Sequence, residues 1–415
     1  MAAAGRDPAG GERAAQALER ACPVCGGRDS AVLHHQQFVS PQGCALPAAY
    51  DVVCCERCGM VYAATDASQT DYDRFYRDLS KYDTPGLSTG GGDTPLDRAR
   101  LIETAEFLAA HMPDRTAPLL DVGCGNGGLL TALAELGFSD LEGLDPSPNC
   151  ARNVESAGFR ATVGSVFSAG GEVGGLAGRF ECLTLSHVLE HLCDLQAGLE
   201  NVISWMRPGG LIWVEVPDAS HYVDEYVVPF YYFDIEHINH FDERSLRNMA
   251  AQAGLDVVAT VHKRVAVSAD VLYPAVGILM SVPAGPRTPR ELRRSDEARE
   301  SVRAYVERSL EDDRWEPLAV LASTGEPVAV WGAGSFAQRL MASSPLSACN
   351  VVAFVDNDLT KQGTSLAGLP IHEPAWLTGF DGAIVIAAAF TADAILGDIE
   401  RLGLTNPVVV LSDRR

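Results

Sequence analysis

The chain has 415 residues, of which 47% are hydrophobic, and a formal net charge of −23 at pH 7. This length allows two or three domains that each bury a core, and the acidic balance disfavours nucleic acid as a partner because phosphates require a basic face. No apolar run reaches the roughly 20 residues that cross a bilayer, so we expect a cytoplasmic protein without a membrane partner and a disordered tail over residues 1–18.

Two Cys-x-x-Cys pairs open the folded part of the chain, and each pair is followed by glycine. The pairs are Cys22 with Cys25 and Cys55 with Cys58. Two residues between thiolates let one turn place both sulfurs on one ion, and four thiolates complete the tetrahedral shell of a structural zinc site. The alternative, for one Cys-x-x-Cys motif by itself, is a redox-active pair of cysteines. We predict a zinc-binding domain over residues 19–70 and leave four nearby candidates out of the ligand set: Cys44, Cys54, His34 and His35.

Residues 71–96 carry three tyrosines and then a stretch rich in Thr, Pro, Gly and Ser. The tyrosines are Tyr72, Tyr76 and Tyr82. Aromatic side chains beside a polar loop are typical of a lid that closes over a substrate. The alternative is a hinge helix whose aromatic side chains pack on its neighbour, and it stays open for Tyr72. Tyr76 is the candidate catalytic residue of this segment.

A region of alternating strands and helices follows over residues 97–285. Apolar residues at helical spacing predict a helix over residues 97–111 that leads into a short strand. That strand runs into Asp121 and a Gly-x-Gly-x-Gly turn that starts at Gly123. Further elements are predicted in chain order: helix 129–136, strand 141–146, strand and turn 161–167, strand 180–186, strand 211–217, helix 243–253 and strand 255–262.

The glycine turn lets a ligand approach the backbone without Cβ atoms in the way. The carboxylate of Asp121 would repel a pyrophosphate and attract a cationic amino acid, so we interpret the turn as a loop for S-adenosylmethionine. A tight turn without ligand is the alternative. Asp145 ends the next strand, about 20 residues after the turn. An acid at this position accepts hydrogen bonds from the ribose hydroxyls of a cofactor. The alternative is that Asp145 caps a helix. The predicted cofactor contacts are Asp121, Gly123, Gly125, Asn126, Asp145, Pro146, Ser165, Val166, Ser186 and His187.

The order of these motifs, with His187-Val-Leu-Glu190-His191 and Arg207-Pro-Gly-Gly210, resembles class I S-adenosylmethionine-dependent methyltransferases over about residues 97–262. The resemblance implies that the strand ends hold the sulfonium and that the acceptor enters from the same edge. The residues from His187 to His191 then lie near the methyl group. His191 is a candidate contact of the acceptor, and a helix-starting histidine bonded to backbone is the alternative.

A Glu236-His237 pair stands in an otherwise apolar and aromatic segment. Burial of a charged pair without a function is unfavourable. An imidazole that is oriented by a carboxylate titrates near neutrality and suits a general base. His237 is therefore the candidate base, with Glu236 as its partner. The alternative is that the two side chains pair across a turn and have only a structural role.

The last part of the chain repeats the pattern of a strand, a glycine turn and a helix. The charged stretch over residues 286–326 predicts a long connecting helix. Gly332-Ala-Gly334 then follows an apolar strand, and Asp356 ends the next strand, which is the pattern of a dinucleotide fingerprint. An NAD-linked oxidoreductase is therefore an alternative function, although residues 327–415 are too few for a cofactor domain and a catalytic partner domain. We predict a Rossmann-like domain there.

The whole arrangement resembles the sugar C-methyltransferases of deoxysugar and antibiotic biosynthesis, and the paired cysteines, the Asp121 loop and Lys361-Gln-Gly363 carry the resemblance. It implies an α/β protein with a small zinc domain, a central Rossmann-like methyltransferase domain and a C-terminal Rossmann-like domain that helps to enclose a nucleotide-linked keto sugar. S-adenosylmethionine is the implied methyl donor, and the zinc is structural. His237 is implied to remove the proton beside the keto group.

One departure from the family pattern concerns the acceptor. The family commonly has Tyr-His-Glu-His where this chain has Asp234-Ile235-Glu236-His237. Tyr76 or Tyr82 is a candidate replacement for the missing tyrosine. An O- or N-methyltransferase, in which His237 deprotonates a hydroxyl or an amine, is therefore a second interpretation. In either case we expect a small-molecule substrate and a monomer or homodimer.

Overall fold

The computed structural model of the protein describes residues 20–41, 43–79, 94–168, 175–268 and 271–412. Three β-sheets of four, seven and six strands organise this part of the chain. The predicted disordered tail lies outside the described residues, as do Tyr82 and the polar stretch that follows it. None of the described helices is long and apolar enough to span a membrane.

The first sheet is antiparallel, and its second strand pairs with both of its neighbours. One cysteine pair precedes the first strand, and the other lies at the turn between the second and third strands. The inward side chains Val52, Cys54 and Val61 are fully buried and form the core of this layer. The strands are β1 (Ser30–Gln37), β2 (Ala49–Cys55) and β3 (Val61–Ala64).

Two helices connect the first sheet to the central sheet: α1 (Gln69–Leu79) and α2 (Pro95–His111). α1 buries Tyr72 in the core of the first sheet, which agrees with the hinge-helix interpretation for this residue. α2 begins slightly before the predicted start because a proline suits the first helical turn and the Thr94 hydroxyl accepts a hydrogen bond from the Asp97 amide.

The central region alternates strands and helices, as the sequence predicts. The elements are β4 (Leu119–Val122), α3 (Gly128–Glu135), β5 (Leu141–Asp145), α4 (Pro148–Ser156), β6 (Arg160–Val163), β7 (Phe180–Ser186), α5 (Leu195–Trp205), β8 (Met206–Pro217), β9 (Asn239–His240), α6 (Glu243–Gln252), β10 (Asp256–Ala266) and β11 (Leu272–Ser281).

The strand order of the central sheet is β10-β11-β8-β7-β4-β5-β6, and the strands from β8 to β6 are parallel. The chain leaves β4 toward β5 on one side and later returns to β7 on the other side. In open α/β sheets a crevice forms at the carboxyl ends of the strands where the order reverses, and ligands bind there. The carboxyl end of β4 is therefore the expected position of a ligand site.

One strand of this sheet was not predicted. The sequence predicts a single closing strand over residues 255–262, whereas the structure extends β10 and adds β11 between β10 and β8, antiparallel to both. The side chains of β11 are buried on both faces, so the period-2 alternation of a half-exposed strand is absent. Gly277 in this strand lies against the ring of Trp213, and a Cβ there would come within 2.1 Å of the ring.

The first two domains share a strand. β9 pairs antiparallel with β3 and completes the first sheet, although its residues belong to the predicted methyltransferase region. Asn239 and His240 are both buried there. The segment with the Glu236-His237 pair is thereby attached to the cysteine-containing sheet, and the predicted boundary at residue 70 separates the two domains only along the sequence.

The C-terminal part is a parallel sheet in the order β14-β15-β13-β12-β16-β17, with only β14 antiparallel to its neighbour among the described strands. This agrees with the predicted Rossmann-like domain. The elements are α7 (Glu297–Leu310), α8 (Trp315–Thr324), β12 (Pro327–Trp331), α9 (Ser335–Ser343), β13 (Asn350–Val355), β14 (Ser365–Leu366), β15 (Leu369–His372), β16 (Ala383–Ile386), α10 (Ala392–Arg401) and β17 (Val408–Val410).

The single connecting helix predicted over residues 286–326 is replaced by α7 and α8, and residues 287–296 are not helical. Pro286 and Pro289 lack amide donors and disfavour a helix in this stretch. Between the two helices the carboxylate of Asp312 accepts the Arg314 amide at 3.0 Å, which stabilises a turn instead of a continuous helix.

Candidate active site at the carboxyl edge of the central sheet

The glycine turn after β4 has a backbone that needs glycine. Gly123, Gly125 and Gly127 have φ angles of 71°, 51° and 82°, which are unfavourable for residues with a Cβ. A Cβ on Gly123 would lie 2.6 Å from the Val188 side chain, whereas a Cβ on Gly125 would meet no heavy atom within 4 Å. The turn is therefore closed on the protein side and leaves open space beside Gly125.

Asp145 ties the end of β5 to this turn. Its carboxylate accepts the Gly125 amide at 2.9 Å and the Ser147 amide at 2.9 Å, and the residue is largely buried. The hydroxyl of Ser147, and not the carboxylate of Asp145, caps the following helix α4. The alternative of Asp145 as a helix cap is thus wrong, and its carboxylate lies at the expected position of the ligand crevice.

Asp121 is a buried acid at the end of β4, with 4% of its surface exposed. The Thr184 hydroxyl donates a hydrogen bond to its carboxylate at 2.6 Å. Burial raises the pKa of Asp121 to about 7 and the nearby Asp145 carboxylate adds to this effect, although the Thr184 hydrogen bond opposes it. A cation that binds beside Asp121 would therefore favour the ionised form of its carboxyl group.

The other predicted cofactor contacts follow the neighbouring strands. Ser165 and Val166 come after β6, next to β5, and the Gly164 amide donates to the Asp145 carbonyl at 2.9 Å. Ser186 ends β7, next to β4, and its hydroxyl is buried without a hydrogen-bond partner. The remaining two predicted contacts are Asn126, whose amide oxygen accepts from Asn153 at 2.8 Å, and Pro146, which follows β5. The topology thus collects these residues at one edge of the sheet.

His187 follows β7 in a backbone conformation that is uncommon for a residue with a Cβ, with φ of 56°. Its Nδ1 lies 3.1 Å from Glu190 Oε1, and its Nε2 lies 3.6 Å from Glu215 Oε1. Burial alone would lower the pKa of His187, but the hydrogen bonds to Glu190 and Glu215 outweigh it and raise the pKa to about 9. The two carboxylates beside His187 therefore favour its protonated form.

A buried set of charges continues from His187 beneath this edge, and the sequence did not predict it. Glu215 on β8 is fully buried and accepts Lys263 Nζ at 2.7 Å and the Thr104 hydroxyl at 3.3 Å. Arg100 Nη1 lies 3.5 Å from the same carboxylate. Burial would raise the pKa of Glu215, but these cations and His187 hold it well below its usual range. An acid inside the apolar run of β8 was the available signal.

Tyr76, His191 and His237, which the sequence names as acceptor-site residues, lie together. The rings of His191 and His237 meet edge to face with centroids 4.9 Å apart, and the Tyr76 ring lies 5.6 Å from that of His191. His191 Nδ1 lies 3.1 Å from the Glu236 carbonyl, so Nδ1 donates and Nε2 is the acceptor nitrogen. His191 is therefore bonded to the backbone, as one of its two interpretations expects. Its other ring nitrogen does not take part in this bond and can contact the molecule that receives the methyl group.

The segment from Glu236 to Asn239 is fastened to the 3₁₀ turn Leu189–His191. The Ile238 amide donates to the Glu190 carbonyl at 2.9 Å. The Asn239 side-chain amide donates to the Leu189 and Leu192 carbonyls, both at 2.8 Å. These bonds place His237 beside His191, although the two residues are far apart in the sequence.

Comparison with known proteins places the central region in a family. Residues 97–260 match the family described as "Methyltransferase domain". The matched region is less than half of the chain and has the character of a methyltransferase domain. The match begins within α2 and ends within the first half of β10, so the glycine turn, Asp145 and His187 lie inside the matched region, whereas Lys263 lies just beyond it.

Sequence relatives of the chain include a "Ubiquinone biosynthesis O-methyltransferase" from Methylobacterium sp. (strain 4-46), which is 35% identical over 104 residues. That alignment covers 23% of this chain and 39% of the relative, so the chain spans about two fifths of that protein. A solved structure, the Burkholderia thailandensis 1,6-didemethyltoxoflavin-N1-methyltransferase, is 20% identical with a TM-score of 0.40, and it covers 54% of this chain and 96% of its own.

Outside the methyltransferase domain, the four predicted zinc ligands converge. The sulfurs of Cys22 and Cys58 lie 3.6 Å apart, those of Cys25 and Cys55 lie 3.5 Å apart, and all four lie within 4.8 Å of one another. Four thiolates around one zinc ion, each about 2.3 Å from it, would be about 3.8 Å apart. The positive φ of 84° at Gly59 forms the turn after the second pair.

The four candidates that were left out of the ligand set have other partners. The Cys54 sulfur lies 3.5 Å from the Gly59 carbonyl, and His35 pairs with Asp51 at 2.7 Å. The His34 ring stacks on a phenylalanine ring 4.7 Å away. Cys44 lies outside the cluster of four sulfurs. The geometry therefore fits one closed site of four thiolates.

The acid of the C-terminal fingerprint is neutralised by a lysine. Asp356 Oδ2 accepts the Ala333 amide at 2.9 Å, which repeats the contact between Asp145 and the glycine turn in the methyltransferase domain. Lys361 Nζ also donates to this oxygen at 3.1 Å. A ribose would compete with this ion pair, which weighs against the interpretation of this domain as an NAD site.

Proposed function

We propose that the chain is an S-adenosylmethionine-dependent methyltransferase that acts on a small-molecule acceptor beside Tyr76, His191 and His237. One combined observation carries the proposal. The region that matches the methyltransferase family, residues 97–260, contains a glycine turn at the switch point of the sheet, and the Gly125 amide of this turn is hydrogen-bonded to Asp145. The histidine pair lies next to the same edge, because His187 and His191 belong to one short segment after β7.

The residues of the turn fit this cofactor. The open space beside Gly125 supports the entry of a ligand. In this proposal the Asp145 carboxylate accepts the ribose hydroxyls, and Ser165 and Val166, which follow the neighbouring strand, flank the adenine. Asp121 attracts the positive charges of the methionyl part. When bound, S-adenosylmethionine supplies an electrophilic methyl group on a sulfonium. The chain's own task is to orient the acceptor, exclude water and accept a proton.

The more specific proposal is C-methylation of a nucleotide-linked keto-deoxysugar. A keto group acidifies the neighbouring C–H bond, and His237 takes that proton on a ring nitrogen. The electron pair of the C–H bond would then form the enolate, and its carbon would accept the methyl group that S-adenosylmethionine supplies, with the sulfonium–methyl bond broken and S-adenosylhomocysteine as the leaving group. The support for this step is the proximity of His237 to a second imidazole, that of His191, whose Nε2 is an acceptor.

O-methylation is the second candidate, and the sequence relatives favour it. The 35% identical relative is named a ubiquinone biosynthesis O-methyltransferase. His237 would then deprotonate a hydroxyl instead of a carbon acid. An N-methyl acceptor would use the same residue. C-, O- and N-methylation thus share one step, the removal of a proton by His237. They differ in the atom that receives the methyl group.

The two flanking domains complete the proposed site. We propose that the four cysteines hold a structural zinc ion, with no open position for chemistry. This domain supports the site because β9 joins its sheet directly after His237. The C-terminal domain approaches the same segment, with Arg339 Nη1 3.9 Å from Asp234 Oδ2, and we propose that it helps to enclose the nucleotide-sugar.

A thermal-shift series on the full chain tests the proposal, with S-adenosylhomocysteine, NAD, NADP and nucleotide-sugars as ligands. We expect S-adenosylhomocysteine to raise the melting temperature and NAD and NADP to leave it unchanged, because ligands stabilise the state that they bind. Further stabilisation by a nucleotide-sugar would support the sugar acceptor. Stabilisation by NAD without stabilisation by S-adenosylhomocysteine would favour the oxidoreductase and contradict the proposal.

A further inference from the structure

We propose that Asp218, His221 and His262 form a second metal site, which takes a divalent transition-metal cation such as Zn²⁺. One carboxylate oxygen of Asp218 and one ring nitrogen of each histidine all lie within 4.8 Å of one another. Two imidazoles and one carboxylate are ligands that suit zinc and its neighbours in the first transition row. The inference concerns the binding of a cation and goes beyond the proposed function, on which it does not depend.

The three ligands come from two parts of the central sheet that are distant in the sequence. Asp218 and the 3₁₀ turn Ala219–His221 follow β8 directly, whereas His262 lies on β10. The strand β11 separates β10 from β8. In the register of these strands His262 is opposite Val276, which is opposite Val216, so His262 lies level with the end of β8. The fold thus brings together side chains that no local motif connects.

Asp218 is a buried carboxylate with one oxygen fixed and the other directed at a histidine. The residue has 1% of its surface exposed. Its Oδ1 accepts the Ser220 amide at 3.1 Å and the Ser220 hydroxyl at 2.5 Å. Its Oδ2 lies 3.0 Å from His262 Nδ1. Two ligand atoms about 2.1 Å from one zinc ion and at right angles to each other would be about 3.0 Å apart, so this separation is compatible with neighbouring ligands.

Each histidine has its other nitrogen beside a further carboxylate. His221 Nδ1 lies 2.8 Å from Asp224 Oδ2, which leaves Nε2 for an ion. His262 Nε2 lies 2.8 Å from Glu243 Oε2 on α6, which leaves Nδ1. Histidines that bind a metal commonly donate their second N–H to a carboxylate, because this fixes the ring orientation and makes the ligand nitrogen more basic. These two carboxylates therefore distinguish the cluster from a simple ion pair.

The charge around the cluster is negative. Among the ion pairs of the described residues, Asp218 and Asp224 pair only with the two histidines. Glu243 Oε1 pairs with Arg247 Nε at 2.6 Å, whereas Oε2 faces the histidine on β10. Three carboxylates and one arginine together attract a cation. The two histidine side chains are 44% and 47% exposed, so an ion can reach them from the solvent.

A cation at this site would link three elements of the methyltransferase region. It would join the turn after β8 to β10 directly, and it would join both to α6 through Glu243. Three protein ligands leave a coordination position for water, in contrast to the closed shell of four thiolates. We therefore expect this cation to bind more weakly than the zinc of the cysteine site and to raise the melting temperature, because a ligand stabilises the folded state that binds it.

The experiment titrates Zn²⁺ into the full-length protein as purified, and calorimetry measures the affinity and the number of ions bound. The zinc content before the titration is measured and subtracted, so the count does not depend on the cysteine site. We expect one further Zn²⁺ per chain. His221→Gln and His262→Gln each remove one ligand at a partly exposed position, and each should lower the affinity for this ion at least about tenfold.

The matched control is His35→Gln. His35 is also an exposed histidine that pairs with a carboxylate, that of Asp51 at 2.7 Å, but it lies outside the cluster. This variant should leave the affinity within about twofold of the wild-type value, because surface substitutions away from the ligands have small effects. Asp224→Asn leaves every ligand in place and should weaken binding by about tenfold, since it alters only the partner of His221.

NMR of protein labelled at the histidine Cε1 carbon identifies the ligands. Zn²⁺ should shift the signals of His221 and His262, which the two variants assign, and leave the signal of His35 in place. The proposal would be overturned if no further Zn²⁺ binds, if binding persists unchanged in both ligand variants, or if the control variant loses it equally. Displacement of Zn²⁺ by a moderate excess of Mg²⁺, which prefers oxygen ligands, would also overturn it, because the imidazoles would then not be ligands.

These measurements require no turnover, so they are independent of the acceptor. Calorimetry with S-adenosylhomocysteine on the same samples reports separately on the proposed function. Normal binding of S-adenosylhomocysteine without a further Zn²⁺ would remove the metal site and leave the methyltransferase proposal intact. A further Zn²⁺ that requires both histidines, in protein that does not bind S-adenosylhomocysteine, would establish the metal site and contradict the methyltransferase proposal.

Discussion

The guanidinium of Arg20 donates a hydrogen bond to Asn239 Oδ1 at 2.7 Å and so joins the start of the cysteine-containing domain to the segment that carries His237. The same guanidinium also donates to four backbone carbonyls at 3.0 to 3.3 Å, which belong to Ala63, Leu192, Cys193 and Ile238. One side chain thus satisfies acceptors from the first sheet, from the turn after His191 and from the segment before β9.

We expect Arg20→Ala to lower the free energy of unfolding by about 3 kcal/mol, because five acceptors lose a charged donor at a partly buried position. Urea unfolding followed by circular dichroism measures the effect. Arg57→Ala is the control, since the guanidinium of Arg57 makes one hydrogen bond, to the Cys25 carbonyl at 3.2 Å. Equal losses in the two variants would contradict the role given to Arg20.

Freshly purified protein should contain about one zinc ion per chain, because four thiolates lie at zinc-ligand spacing. Cys55→Ser should lose the ion and unfold the first sheet. Cys54→Ser is the matched control, because the Cys54 thiol lies 3.5 Å from the Gly59 carbonyl and outside the cluster of four sulfurs. Plasma mass spectrometry counts the metal, and a wild-type value near zero would refute the site.

Asp145→Ala should weaken S-adenosylmethionine binding by about 10- to 100-fold, as expected for the loss of hydrogen bonds to a charged group. The glycine turn also loses its anchor at the Gly125 amide. Titration calorimetry measures the affinity. Asp140→Ala removes an exposed acid at the start of the same strand and should leave the affinity unchanged. Unchanged binding in Asp145→Ala would take this residue out of the ribose site.

The affinity for S-adenosylmethionine should depend on pH through Asp121, whose pKa is raised to about 7. Below this pH the carboxyl is neutral and no longer attracts the cationic ligand, so affinity should fall by about tenfold from pH 8 to pH 6. The same raised pKa means that Asp121 reduces stability progressively as pH rises from about 4 to 7. Asp121→Asn should therefore flatten the binding profile and raise the melting temperature at pH 8. A profile that is equally steep in this variant would implicate another group.

His237→Ala should abolish methyl transfer to the acceptor and leave the affinity for S-adenosylhomocysteine within about twofold, because in the proposed function this ring, which packs on His191, takes the proton of the acceptor and does not contact the cofactor. His35→Ala is the control, since this exposed histidine pairs with Asp51 outside the histidine pair. Transfer is followed with isotopically labelled methyl groups, and NMR of the product identifies the acceptor atom. Normal transfer in His237→Ala would return His237 to a structural role.

The sequence by itself predicted the features that depend on short stretches of chain. The turn at Gly123 needs glycine because of its own backbone conformation, and the spacing of Cys22 and Cys25 fits one metal ion, so both patterns are visible without the fold. The strand that ends on Asp145 was equally clear, since hydrophobic runs of this kind are local.

The tertiary structure decided what depends on contacts between distant residues. The short strand β9 is two residues long and carries no pattern of its own, and β11 shows no alternation, so only pairing with β3 and β8 defines them. The meeting of the His191 and His237 rings likewise follows from the packing of two distant segments, which the hydrogen bond of the Ile238 amide to the Glu190 carbonyl holds together. Sequence patterns describe each segment separately, but only the fold brings them into contact.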